Sequence, residues 1–141
     1  MTDAQVIEGK CLCGAVSVRV HAPTPKLRAC HCEMCRQMTS GIYFSILTEQ
    51  DGMTVEGPVK TYRSSDWAER GFCDTCGSVL WYSTVEDGAR YLSAGLFENA
   101  GGGDLVIEFY EDHCPAGYAL AGTHQKLSRE ETIALFAGDE H

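Results

Sequence analysis

The sequence has no apolar run of the length a bilayer-spanning helix requires, about 20 residues. A membrane-spanning role is therefore not expected. Basic charge is scarce: 11 Lys and Arg stand against 20 Asp and Glu, a formal net charge of −9. Nucleic acid and anionic membrane surfaces both call for a basic face, so neither is an expected partner. Linkers, low-complexity tracts and long internal repeats are missing too. The 141 residues read as one domain, 1–141, with a core over roughly 8–125. The N-terminal MTDAQVIEGK lacks a basic segment followed by an apolar run. No signal peptide is expected, and the default compartment is the cytoplasm, where thiols stay reduced. A phosphate-binding loop is absent as well. The glycines at 101–103 are not followed by Lys-Ser/Thr and read as a turn.

Helical pattern is nearly as scarce. Ser128 and Glu131 form a capping-box pair ahead of Thr132, Ile133, Leu135 and Phe136, which predicts a C-terminal helix over about 128–137. A second, very short helix could begin near Glu33. The rest reads as short strands: 16–22, 41–48, 59–64, 78–84, 90–97 and 105–110. Turn signals separate them, among them Asp51-Gly52, Gly57-Pro58 and Asp87-Gly88. The expected class is mainly β.

What the chain does have is cysteine: eight residues, in the clusters Cys11-Leu-Cys13, Cys30-His-Cys32-Glu-Met-Cys35, Cys73-Asp-Thr-Cys76 and the single Cys114. In a reducing compartment such spacing points to metal before disulfides. Residues i and i+2 of a strand share a face, so Cys11 with Cys13, and Cys30 with Cys32, can grip one ion from one side. A C-x-x-C turn brings two sulfurs to a tetrahedral ion, and Gly14 and Gly77 after the pairs ease such turns. Cys11, Cys13, Cys73 and Cys76 make one complete four-thiolate set, the pattern of a structural zinc. Cys30, Cys32 and Cys35 remain, and three protein ligands with an exchangeable fourth position mark a catalytic zinc.

Spacing does not force this partition. Cys11 and Cys13 could pair with members of the trio. The trio could also be closed by Cys114 or His31, although His31, between two alternating cysteines, should face the other way. A redox role for Cys73 and Cys76 would suit a βαβ context that the pattern lacks.

The order C-x-C-G-A-V, C-H-C-x-x-C-R, F-C-x-x-C-G-S is carried here by Cys11–Val16, Cys30–Arg36 and Phe72–Ser78. It resembles the glutathione-dependent formaldehyde-activating enzyme family. Gly41, Phe44 and the Gly57-Pro58…Tyr62 stretch also match, so the likeness spans roughly 8–110. The resemblance implies a β-tent fold of antiparallel sheets with zinc-bearing turns. It implies a structural zinc on Cys11, Cys13, Cys73 and Cys76, and a catalytic zinc on Cys30, Cys32 and Cys35. It implies a carbon–sulfur lyase that joins glutathione to formaldehyde as S-hydroxymethylglutathione. This chain departs from the family at the C-terminal end, where an acidic Glu108-Phe-Tyr-Glu-Asp-His-Cys-Pro replaces a His-aromatic strand and a basic Pro-Trp segment.

Three thiolates leave a bound zinc with formal charge −1, a weak Lewis acid for water but a good partner for a substrate thiol. The expected partners are therefore a small thiol such as glutathione, and an aldehyde. Arg36, next to the trio, is the candidate to bind a glutathione carboxylate; Arg63 and Arg70 read as surface charges. Tyr43, Phe44, Trp81 and Tyr82 read mainly as core, and His113 as a surface histidine able in principle to move a proton. The alternative is a zinc-stabilised binding module without turnover, favoured if Cys114 closes the trio.

Overall fold

The computed structural model describes residues 6–21, 25–48 and 52–138. Two compact units emerge, one from the described residues of 1–26 and 45–104, the other from those of 27–44 and 105–141. Neither is a continuous stretch of chain.

The first unit is all β and short turns. Strands β1 (Val6–Lys10), β2 (Ser17–His21) and β5 (Met53–Glu56) form an antiparallel sheet in the order β1-β2-β5. Its pattern is set by alternation: Val16, Val18 and Val20 are buried while Ser17 and Arg19 face out. The part of β4 (Tyr43–Thr48) from Ser45 onward pairs antiparallel with β9 (Arg90–Ser93). The sheet continues through β8 (Val79–Thr84) and β7 (Ala68–Cys73) to β6 (Val59–Arg63). Ile46, Leu80 and Leu92 are its fully buried aliphatics.

Strands β1, β5 and β7 were not anticipated. In β7 the reason is plain: AERGFC carries a charge pair and a glycine, and its register shifts at Gly71/Phe72. Arg70 in that strand corrects its reading as a surface charge. It is only 1% exposed, with its guanidinium 4.7 Å from the centre of the Tyr82 ring, a cation–π arrangement. Arg63 is exposed and donates to the carbonyls of Ser65 and Asp66, which ties its own hairpin turn.

The second unit holds β3 (Lys26–Cys30) from Leu27 onward, β10 (Asp104–Phe109) from Leu105 onward and β11 (Gln125–Lys126) in the order β11-β10-β3, with helices α1 (Glu33–Thr39) and α2 (Arg129–Gly138). The β10–β11 pair is parallel, unlike the antiparallel sheets expected, because the chain loops through 110–124 before rejoining in the same direction. Helix α1 starts with the Cys32 sulfur as its cap, accepting from the Cys35 amide at 3.3 Å, and ends at Ser40 in the left-handed region, φ 68°. The capping box at α2 forms as its residues dictate: the Ser128 amide donates to the Glu131 carboxylate (2.9 Å), and the Glu131 amide to the Ser128 hydroxyl (3.1 Å). Thr132 and Phe136 dock α2, through the Tyr110 amide and the Phe109 ring. Ile133 and Leu135, expected on the apolar face, are 44% and 43% exposed. Among the described residues no helix is long and apolar enough to cross a membrane.

Candidate metal centre

All eight cysteines are free thiols, and seven of them gather into two groups. The sulfurs of Cys11, Cys13, Cys73 and Cys76 lie within 4.8 Å of one another. Both pairs sit in hairpin turns, β1–β2 and β7–β8. Cys11 follows the last residue of β1, so this pair converges through the turn and not through strand alternation. The turns share a plan. The Gly14 amide donates to the Cys11 carbonyl (3.1 Å) and the Gly77 amide to the Cys73 carbonyl (2.8 Å). Both glycines take positive φ, 83° and 81°, which a side chain would resist. The Leu12 amide donates to the Ser78 hydroxyl (3.2 Å) and links the two turns.

This set fits a tetrahedral ion. Sulfurs about 2.3 Å from a zinc stand about 3.8 Å apart at the corners of a tetrahedron. The Cys11–Cys13 and Cys13–Cys73 sulfurs are 3.7 Å and 3.9 Å apart. Amides of Val16, Ala15 and Cys76 point at the sulfurs of Cys11, Cys13 and Cys73 at 3.3–3.4 Å, arranged to stabilise thiolate charge. The Cys76 thiol is lowered to about 5 by the Ser78 hydroxyl, the Ser78 amide and the Cys13 amide. At Cys13 the Ala15 amide lowers the thiol, but burial and the neighbouring sulfurs outweigh it and raise it to about 11. Four crowded thiols thus cannot all ionise without a cation, which is what a metal supplies.

The sulfurs of Cys30, Cys32 and Cys35 likewise lie within 4.8 Å of one another. Cys30 ends β3, Cys32 is extended (φ −63°, ψ 159°), and Cys35 is one helical turn further. Here strand alternation does place the first two. Hydrogen bonds to Cys32 and Cys35, then burial, push the Cys30 thiol strongly up, again the mark of thiols crowded without a cation.

Neither proposed closing ligand joins the trio. The Cys114 sulfur donates to the Tyr118 carbonyl at 3.3 Å, and among the described residues it belongs to neither group. His31 faces inward, fully buried, with Nε2 2.7 Å from Glu108 Oε1. The binding-module alternative therefore lacks the closing thiolate it relied on. Cys114→Ser is expected to leave metal stoichiometry unchanged, whereas Cys35→Ser lowers it; elemental analysis of the two purified variants decides this.

Of the other residues singled out, Tyr43 and Trp81 are buried and Phe44 and Tyr82 half-buried. His113 is exposed, with its ring edge-on to Tyr110 at 5.5 Å. Arg36 is half-buried in α1, and its Nε is buried with no hydrogen-bond partner. Sequence reasoning missed Tyr110, Glu108 and His124. Tyr110 is raised by burial and then by the charges of Cys32 and Cys30. Glu108 accepts from both His31 and His124. Burial raises its carboxyl, but the hydrogen bonds from His124 and His31, together with their electrostatic attraction, outweigh burial and hold it below the ordinary range. One signal was available for Glu108: a lone carboxylate inside the apolar run of β10.

Residues 6–113 match the family described as glutathione-dependent formaldehyde-activating enzyme. The chain belongs to that family. A Schizosaccharomyces pombe protein named as an uncharacterized lyase is 36% identical over 128 residues, 89% of this chain and 93% of that protein. A Halomonas elongata protein, provisionally named a glutathione-dependent formaldehyde-activating enzyme, is 29% identical over 155 aligned positions, 89% of this chain and 99% of the relative. The crystal structure of a Rhodobacter sphaeroides protein shares the fold of this family member, with a TM-score of 0.56 at 20% identity, over 71% of this chain and all of that one.

Proposed function

We propose that this protein is a zinc-dependent carbon–sulfur lyase-type enzyme that adds a small thiol such as glutathione to formaldehyde or a related aldehyde. The reading rests on one observation: Cys30, Cys32 and Cys35 converge as three ligands, and Cys114 turns away to the Tyr118 carbonyl. Cys11, Cys13, Cys73 and Cys76 would hold a structural zinc, and the trio a catalytic one. When bound at the trio, the ion supplies an exchangeable position at which a substrate thiol loses its proton at neutral pH. Addition forms one carbon–sulfur bond, moves the carbonyl π pair to oxygen, and leaves the thiol proton on the new hydroxyl. The reverse cleavage is the lyase direction.

The chain's own groups shape the approach. Arg36 follows Cys35 directly on α1 and is only half-buried, so its guanidinium is a cation beside the trio suited to a substrate carboxylate. Arg36→Ala is expected to raise KM for glutathione about tenfold or more, the worth of one hydrogen bond to a charged group. A carboxylate-free thiol such as 2-mercaptoethanol should be used equally well by both proteins.

The activity itself is tested by exchange NMR with labelled formaldehyde and glutathione. Exchange faster than the spontaneous reaction supports the reading; a rate equal to it, with glutathione and other small thiols, refutes it. The same reading takes 1–141 as one domain, because each unit is interrupted in sequence by the other. It places the protein in a reducing compartment such as the cytoplasm, where cysteine ligands stay reduced.

A further inference from the structure

A sealed polar cluster among the described residues of the second unit is not used by the reaction above. Glu108 lies in β10 between Ile107 and Phe109, all three buried. Its Oε1 is 2.7 Å from His31 Nε2, and its Oε2 accepts from His124 Nε2. The three side chains are nearly sealed from solvent, at 3% or less exposure each. A carboxylate only accepts, so both imidazoles present Nε2–H to it. A buried carboxylate is costly unless both oxygens are satisfied, and here two sequence-distant histidines do so.

Resting on the trio being a metal site, we infer that Glu108, held by His124, is a positioning residue that sets the geometry of Cys30 and Cys32 through His31. His31 is the residue between those two ligands, in the link from the end of β3 to the start of α1. Its amide donates to the Phe109 carbonyl at 3.0 Å, and its ring to Glu108. These two bonds hold the 30–32 backbone extended, and extension puts both cysteine sulfurs on the face opposite His31. Glu108 is fixed in turn. Its carbonyl accepts from Leu127, and Ile107 and Glu108 pair in register with Gln125 and Lys126, directly after His124. The link would otherwise be a junction between a strand and a helix of seven residues, free to turn. Supports of this kind tune metal sites by about 10–100-fold in affinity.

The test uses the full-length protein and cobalt(II) as the probe, read by thiolate charge-transfer absorption during competition with a chelator. Glu108→Gln keeps the shape but leaves one acceptor, so one imidazole loses its partner. The expected result is a trio affinity lowered about tenfold or more, with the four-cysteine phase unchanged and the Tm lowered by a few degrees at most, since one buried imidazole N–H loses its acceptor. A purely structural role would lower Tm and leave the trio phase where it was. That result overturns the inference, as does an unchanged trio phase. If Glu108→Gln fails to fold, His124→Ala is read the same way. Selective weakening of the trio supports the inference, and loss of both phases in both variants overturns it. A wild-type protein with no second cobalt phase overturns the metal assignment of the trio itself, and so separates the two failures.

Discussion

Cys76→Ser is expected to yield no folded protein. The four-cysteine set joins the β1–β2 turn to the β7–β8 turn, which belong to different sheets and bring together Cys13 and Cys73, 60 residues apart in sequence. A structural zinc contributes about 10–16 kcal/mol in small finger peptides, against a whole-domain stability of about 5–15 kcal/mol. Losing one thiolate forfeits much of that and leaves the remaining sulfurs crowded: Cys11 and Cys13 at 3.7 Å, Cys13 and Cys73 at 3.9 Å. The Cys76 thiol is also lowered to about 5. A serine hydroxyl does not ionise in that range. Soluble yield, thermal melting by circular dichroism and zinc content are the measurements. A variant that melts as wild type does, with its zinc intact, would defeat the structural assignment.

Cys35→Ser is expected to do the opposite: fold, keep the four-cysteine metal, and lose thiol addition. The trio spans only Cys30 to Cys35, so its ion closes no long loop and adds little to folding. Outer-shell changes at metal sites cost about 10–100-fold, and loss of a direct ligand should cost at least that. Catalysed exchange of labelled formaldehyde with glutathione is therefore expected to fall by about two orders of magnitude or more, toward the spontaneous rate. In the wild-type protein a mild chelator should remove about half of the metal without melting the chain, since open sites release metal more readily than closed ones. Retained exchange activity in Cys35→Ser would remove the trio from the mechanism. Loss of all metal and the fold in a single step would merge the two sites into one structural role.

Much of this is legible in the sequence. Ligand spacing is local chemistry. C-x-C and C-x-x-C are set by bond lengths and turn geometry, so the cysteine clusters stand out from sequence alone, whereas the fold decided which clusters share a group. The Ser128/Glu131 capping box is local in the same sense, and the strands at 17–21, 43–48, 59–63, 79–84 and 104–109 follow from alternation and turn residues. Tertiary structure decided what depends on distant partners. It buried Arg70 under Tyr82, in a strand whose composition argues against one. It made β10–β11 parallel by returning the chain from residue 124. It turned Cys114 to a carbonyl rather than to the trio. Above all, it set Glu108 between His31 and His124, 77 and 16 residues away in sequence. A carboxylate inside an apolar strand is unfavourable on its own and stable only with its partners. No local pattern states which histidines those will be, because the fold that brings them together is the sum of burial over the whole chain.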